Sequence, residues 1–245
     1  MKRIIKVYDL GLVPYRKAWD LQKRAQKILT DQKKTARDGV PVEHILNDML
    51  FFVEHPHVYT IGKSGNESNM LKGLSELADI DAEYVEIDRG GDITYHGPGQ
   101  IVAYPILDLD RYFTDIHKYL RFLEEVVIKT CGDYGIQAGR KDGLTGVWID
   151  EKKICALGIR CSRWVTMHGF AFNINTDLSY FNHIVPCGIQ DKSVTSLSDL
   201  TGREIDQAEV KRKLIRHFAK VFDAKIIEAD SAEHEFQISY LSHPK

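Results

Sequence analysis

The sequence predicts an α+β fold whose sheet is mostly antiparallel or mixed, with helices packed against it. Three observations carry this. Short apolar runs of strand length outnumber the amphipathic helical stretches, and the helical stretches are few and long. The regular strand–helix alternation of a doubly wound sheet is missing. No internal repeat, low-complexity tract or Pro/Ser-rich linker breaks the 245 residues, so they read as a single domain.

The elements follow in order. Arg3 to Tyr8 look like a strand. After Pro14 a helix begins, with Tyr15, Ala18, Trp19, Ala25, Ile28 and Leu29 near one face. Its other face is basic, carrying Arg16, Lys17, Lys23, Arg24, Lys27, Lys33, Lys34 and Arg37 against Asp20 and Asp31. Such a face fits either a solvated helix or a docking surface for an acidic partner. Strands are predicted at Met49–Val53, Val58–Ile61, Tyr84–Ile87 and Ile101–Leu107, the last apolar enough for a buried strand. Thr114 and Asp115 open a second helix, in which Ile116, Tyr119, Leu120, Leu123, Val126 and Val127 recur at three and four residues. Gly132 stops it. Three short strands come next, Gly146–Ile149, Lys153–Arg160 and Phe170–Ile174, with Asp150, Glu151 and Lys152 turning the first into the second. Asp206 and Glu209 form a capping-box-like signature before a third helix with Val210, Leu214, Phe218, Val221 and Phe222. A last strand and a frayed tail follow Ala224.

Composition narrows the function classes. Hydrophobic residues at 43% and charged residues at 28% exclude a disordered or fibrous chain. Lys and Arg total 33 against 35 Asp and Glu, a net charge of −2, which disfavours a nucleic-acid binder. No apolar stretch is long enough to cross a bilayer, and charges interrupt the first residues where a signal peptide needs an apolar core. A cytoplasmic location is expected. The four cysteines, 131, 155, 161 and 187, form no C-x-x-C pair, and each reads by default as a small buried hydrophobe.

Four stretches carry chemistry. Arg89-Gly90-Gly91-Asp92-Ile93-Thr94-Tyr95-His96-Gly97-Pro98-Gly99-Gln100 lies between two predicted strands and sets an Arg, a Thr, a Tyr and a His among glycines that let a ligand approach the backbone. It matches neither a P-loop nor a dinucleotide fingerprint. Lys153-Ile154-Cys155-Ala156-Leu157-Gly158 puts Lys153, Cys155 and Leu157 on one strand face, where a leading lysine can also simply snorkel. In His168-Gly169-Phe170-Ala171-Phe172-Asn173 a histidine sits just ahead of an apolar strand. Pro186-Cys187-Gly188 either presents an uncrowded sulfur suited to a nucleophile or holds a cysteine in a tight turn.

These stretches, with Glu54-His55-Pro56-His57-Val58-Tyr59-Thr60-Ile61-Gly62 before them, occur in the order and context of the lipoyl(octanoyl) transferase family, which the chain resembles from about Glu54 to Leu197. Two positions depart: Lys63 stands where the family often has Arg, and Cys155 where it often has a smaller residue. The resemblance implies a biotin/lipoate protein ligase-like fold in a single catalytic domain over residues 1–245. Its motif-bearing core would span about 48–200, followed by a C-terminal helix and tail at 206–245. It implies transfer of octanoyl from octanoyl-acyl carrier protein to a lysine of lipoyl domains, those of 2-oxoacid dehydrogenase complexes or the glycine cleavage H protein. No cofactor, metal, nucleic acid or membrane is implied. Cys187 would be the acyl-accepting thiol and Lys153 its partner. Arg89, Gly90, Gly91, Asp92, Ile93, Thr94, Tyr95 and His96, then Ala156, Leu157 and Gly158, then Gly169, Phe170 and Ala171, would line the acyl-substrate site. His96 and the supporting His168 would orient substrate or the surroundings of the thiol.

The chemistry suits these residue types. A thioester calls for a soft nucleophile, and an ammonium beside a cysteine favours its thiolate. A lysine can return a proton to the departing thiol and, when neutral, take one from an incoming amine. Residue types alone would choose His96 or His168 as the base, since Cys–His pairs are commoner; the resemblance favours Lys153. Backbone N–H of Leu157 or Gly158 would stabilise the oxyanion, and Ile93, Tyr95 and Leu157 would contribute to an apolar tunnel. Three rivals are an ATP-dependent lipoate–protein ligase, which would need no Cys187, a zinc module of His96, His168 and Cys187, and a lipoyl-domain scaffold with a dead site.

Overall fold

Long runs of buried residues dictate a sheet covered on both faces. In the computed structural model, which describes residues 3–39, 47–185 and 193–229, the strands are β1 (Ile4–Leu12), β2 (Asp48–Glu54), β3 (Val58–Ile61), β4 (Glu83–Glu86), β5 (Ile93–His96), β6 (Gln100–Ile106), β7 (Gly139–Lys141), β8 (Leu144–Ile149), β9 (Lys152–Ser162), β10 (Val165–Asn173) and β11 (Lys225–Glu228). The α-helices are α1 (Tyr15–Arg37), α2 (Leu74–Leu77), α3 (Ile116–Gly132), α4 (Leu197–Thr201) and α5 (Gln207–Phe222). The main sheet runs β11-β1-β2-β6-β10-β9-β8-β7, and a small one runs β4-β3-β5. β1 lies parallel to β11 and β2, and β3 to β4, while the other pairs are antiparallel. This is the mixed α+β architecture expected. No helix of the described residues is long and apolar enough to cross a membrane.

Strand periodicity sorts the core onto two faces. Leu50, Phe52, Ile101 and Phe172 pack beneath α3 and α5, against Leu123, Val127, Leu214 and Phe218. Phe51, Val53, Val102 and Met167 face the other way and pack against Ala18, Leu21, Ala25 and Leu29 of α1. The helix starts behave as their sequence signals require, the Asp115 side chain accepting from Lys118 N and that of Asp206 from Ala208 N.

Two departures bear on the site. The Arg89–Gln100 stretch is not all loop, because Ile93–His96 forms β5 and pairs with β3. β10 begins at Val165, five residues before the expected start, so His168 lies inside a strand. His168 adopts a left-handed φ of 60°, which interrupts the alternation a strand pattern needs. On the basic face of α1, Lys23 pairs with Asp20 at 2.6 Å, Lys27 with Asp31 at 2.6 Å, and Lys33 with Asp108 at 2.6 Å and Asp110 at 2.7 Å. Part of that face is thus neutralised within the molecule.

Asp48, at the start of β2, is fully buried. It accepts from Asp108 N at 3.0 Å and from the Tyr112 hydroxyl at 2.8 Å. Burial outweighs these bonds and the nearby Arg111, and raises its pKa to about 6. The folded state therefore holds this proton more tightly than the unfolded state. The resulting stabilisation is complete below about pH 4 and is lost as pH rises towards 6. Asp48→Asn, which cannot titrate, should gain stability relative to the parent by up to about 3 kcal/mol between those pH values. Paired urea titrations at pH 4 and pH 6 measure the change; an unchanged difference would refute the assignment.

Candidate active site

β9 and β10 form the floor of a cavity of about 360 Å³ that residues of both sheets line. That volume lies in the range of small-ligand sites, about 300 to 1,000 Å³. Fourteen of the residues expected at the site reach it: Arg89, Gly90, Gly91, Asp92, Ile93, Thr94 and His96 from one side, and Lys153, Ala156, Leu157, Gly158, Gly169, Phe170 and Ala171 from the strands. His168 lines it as well.

Arg89, Asp92 and His96 are held by hydrogen bonds of their side chains. Arg89 is buried, and its Nη2 donates to Thr60 O at 2.8 Å and Thr60 Oγ1 at 3.1 Å. Gly90 N donates to Ile159 O at 2.9 Å, tying the glycine loop to β9. Asp92 serves the loop rather than the cavity alone, accepting from Ile93 N at 2.7 Å and Asn69 Nδ2 at 2.5 Å. His96 Nδ1 donates to Gln100 Oε1 at 2.8 Å. Gln100 Nε2 donates to Asn173 Oδ1 at 2.9 Å, and Asn173 Nδ2 to Thr195 O at 3.0 Å. Burial holds the His96 pKa well below the ordinary histidine range, so the ring is neutral.

Lys153 opens the inner part of β9. Its N–H donates to Ser193 O at 3.0 Å, and its carbonyl accepts from Thr195 N at 3.0 Å. Its Nζ stands 4.8 Å from the centroid of the Trp148 ring. Cys187 lies outside the described residues. The chain leaves them after Val185, whose N–H donates to Asn69 O at 2.8 Å, and returns at Ser193. Burial raises the thiol pKa of the other three cysteines, that of Cys131 to about 12 and that of Cys155 well above the ordinary value. Raised thiols are poor nucleophiles.

The left-handed His168 is braced at both ends. Its backbone N–H donates to Gln22 Oε1 at 2.9 Å and its Nε2 to Asp88 Oδ1 at 3.0 Å. Asp88 also pairs with Arg160. Burial lowers the His168 pKa against the pull of Asp88. Burial would raise that of Asp88, but the His168 hydrogen bond and Arg160 hold it below the usual carboxylate value.

Tyr95 requires a correction, because it does not line the cavity. It is fully buried, its hydroxyl hydrogen-bonds His57 Nδ1 at 2.7 Å, and its ring stacks on Tyr180 at 4.9 Å. Period-2 reading of β5 does not tell which face of the small sheet meets the ligand. Sequence reasoning missed Tyr15, Gln100, Tyr104 and Asn173, all at the cavity, and Asp88 behind it. Gln100 and Asn173 stood inside the motifs and Asp88 next to one, a usable signal. Nothing local marked Tyr15 or Tyr104.

Comparison with known proteins places this architecture. Residues 14–219 match the family of the lipoyl protein ligase A/B catalytic domain. An octanoyltransferase of Christiangramia forsetii is 52% identical over 233 residues, 92% of this chain and 99% of that one. One from Flavobacterium johnsoniae is 50% identical over 234 residues, covering 93% and 100%. Among solved structures, lipoate-protein ligase A bound with ATP superposes with a TM-score of 0.73 over 99% of this chain and 95% of its own, at 16% identity. A putative lipoate protein ligase from T. acidophilum gives 0.71 over 98% and 94%, at 17% identity. These two distant likenesses show the shared fold. The match over most of the chain and the identity to curated relatives together mean that this chain is an acyltransferase and belongs to the octanoyltransferases of the lipoyl protein ligase A/B catalytic-domain family.

Proposed function

We propose that the protein, acting in the cytoplasm as a single catalytic domain, transfers octanoyl from acyl carrier protein to a lysine of lipoyl domains, through a thioester on Cys187. The observation that carries this reading is the pairing of Lys153 with Ser193 and Thr195, the first residues after the Cys187 segment, at the edge of a cavity with apolar walls. Ile93, Val102, Leu120, Leu157 and Phe170 supply those walls, and an unfunctionalised hydrocarbon chain gains by leaving water there. The raised thiols of Cys131, Cys155 and Cys161 support Cys187 by contrast.

The reaction then has two halves. The Cys187 thiolate attacks the donor's thioester carbonyl, the carbon–sulfur bond to the carrier's prosthetic thiol breaks, and the Lys153 ammonium protonates the departing sulfur. In the second half the acceptor lysine amine attacks the acyl-enzyme, neutral Lys153 takes its proton, and the Cys187 thiolate leaves. The first exchange is roughly balanced and the second runs downhill from thioester to amide, so no nucleotide is consumed.

Incubation with octanoyl-acyl carrier protein should leave an octanoyl adduct visible by intact mass. Cys187→Ala should form none, whereas Cys131→Ala, Cys155→Ala and Cys161→Ala should each form it. An adduct on the Cys187→Ala protein would sink the assignment. Initial rates measured over a grid of donor and acceptor concentrations should give parallel double-reciprocal lines, the signature of two half-reactions through one thiol. Intersecting lines without an isolable adduct point instead to direct transfer in a ternary complex.

A further inference from the structure

A carboxylate lies buried behind the lysine, outside the cavity. Glu124 of α3 is fully buried, among the helix's buried residues Tyr119, Leu123, Val126, Val127, Thr130 and Cys131. Its Oε2 accepts from Arg121 Nη1 at 2.7 Å and Arg140 Nε at 2.9 Å, and its Oε1 accepts from Gly146 N at 3.1 Å. The two arginines are themselves partly exposed, and Arg140 has a second carboxylate in Glu125 at 2.8 Å. Stability does not call for the burial of Glu124, since buried ion pairs are commonly matched or bettered by apolar residues. What an apolar residue cannot supply is the acceptor for Gly146 N.

Gly146 lies against the stem of Lys153. Its φ is +133°, a conformation L side chains rarely adopt, and a Cβ there would sit 3.0 Å from Cys155 O, 3.3 Å from Lys153 Cε and 3.3 Å from Trp148 Nε1. Immediately after it the β8–β9 register slips: Val147 faces Cys155, but Trp148 faces Lys153. Such an irregularity re-aims side chains, and here it brings the Trp148 ring under the Lys153 ammonium. The lysine backbone is already fixed on its other side by Ser193 and Thr195. Its stem runs past Gly146.

We propose that Glu124 is a positioning residue for Lys153, acting through Gly146 to hold the irregular start of β8 against the lysine stem. The proposal deepens the function given above and rests on its assignment of Lys153. Glu124 does not line the cavity, so its loss should reach the chemical step and spare donor binding.

Glu124→Leu removes the acceptor and keeps a buried side chain, while Glu124→Gln keeps an oxygen for Gly146 N. Single-turnover acylation should fall between about tenfold and a hundredfold in Glu124→Leu, as for a misplaced catalytic group, with donor KM within roughly twofold. Glu124→Gln should recover most of the rate. Acetylation of Lys153 by limiting acetic anhydride, read by peptide mass, should change in the Leu variant and return with Gln. Gly146→Ala, which leaves Glu124 intact, should reproduce the Leu phenotype and serves if the Leu variant does not fold. The proposal is overturned if a folded Glu124→Leu or Gly146→Ala protein keeps parental Lys153 acetylation and kcat, or if the loss appears in donor KM. Retained transfer by Lys153→Ala would instead overturn the function assigned to Lys153, while acetylation would still report on the geometry.

Discussion

Gly158 and Gly169 face each other across the β9–β10 ladder, and neither can carry a side chain. A Cβ on Gly158 would lie 2.9 Å from Arg89 Cδ and from Gly90 O, and one on Gly169 would lie 2.2 Å from Ala103 O. This bare stretch of sheet lets the Arg89 loop descend onto β9, where Gly90 N finds Ile159 O. It also lets β6 close up against β10 on the other side. The cavity is the space left between these approaches, so its shape depends on the absence of a side chain at both positions.

Around that space, burial decides which groups can carry charge. His96 is pushed to neutrality, and His55, bonded to Val13 O and the Tyr104 hydroxyl, is lowered to about 4. The same desolvation raises the Cys131 and Cys155 thiols and removes them from competition as nucleophiles. A single physical cause thus silences the histidines and the core cysteines that residue counting would nominate. A Cys–Lys reading does not need either.

Much of this was legible from local chemistry. α3 runs from the Asp115 cap to Gly132, and β3 from Val58 to Ile61, as their patterns require. The cavity gathers three of the glycine-bearing motifs because close backbone approach is what glycine permits, and that signal is local. β5 was hidden because glycines on both sides of Ile93–His96 read as loop. The early start of β10 was hidden because one left-handed histidine breaks period 2. The partners of the site were beyond reach for a different reason: Glu124 meets Gly146 twenty-two residues away and Gln22 meets His168 across 146. No spacing rule spans such distances.

The left-handed turn at His168 also explains an oddity of α1. That helix buries Gln22 and Gln26 on the face it shares with Ala18, Leu21 and Ala25, where an amphipathic pattern would place apolar residues. Backbone strain at a non-glycine residue costs of order 1–3 kcal/mol and persists only where surroundings over-determine it. Here Gln22 Oε1 accepts from His168 N at 2.9 Å, and Gln26 Nε2 donates to Val165 O at 2.8 Å. The two glutamines therefore supply hydrogen bonds to β10 on both sides of Met167, while Asp88 holds the His168 ring. Pinned in this way, β10 divides its work. Val165 and Met167 pack into the α1 core, and from His168 onward the strand lines the cavity with His168, Gly169, Phe170, Ala171 and Asn173.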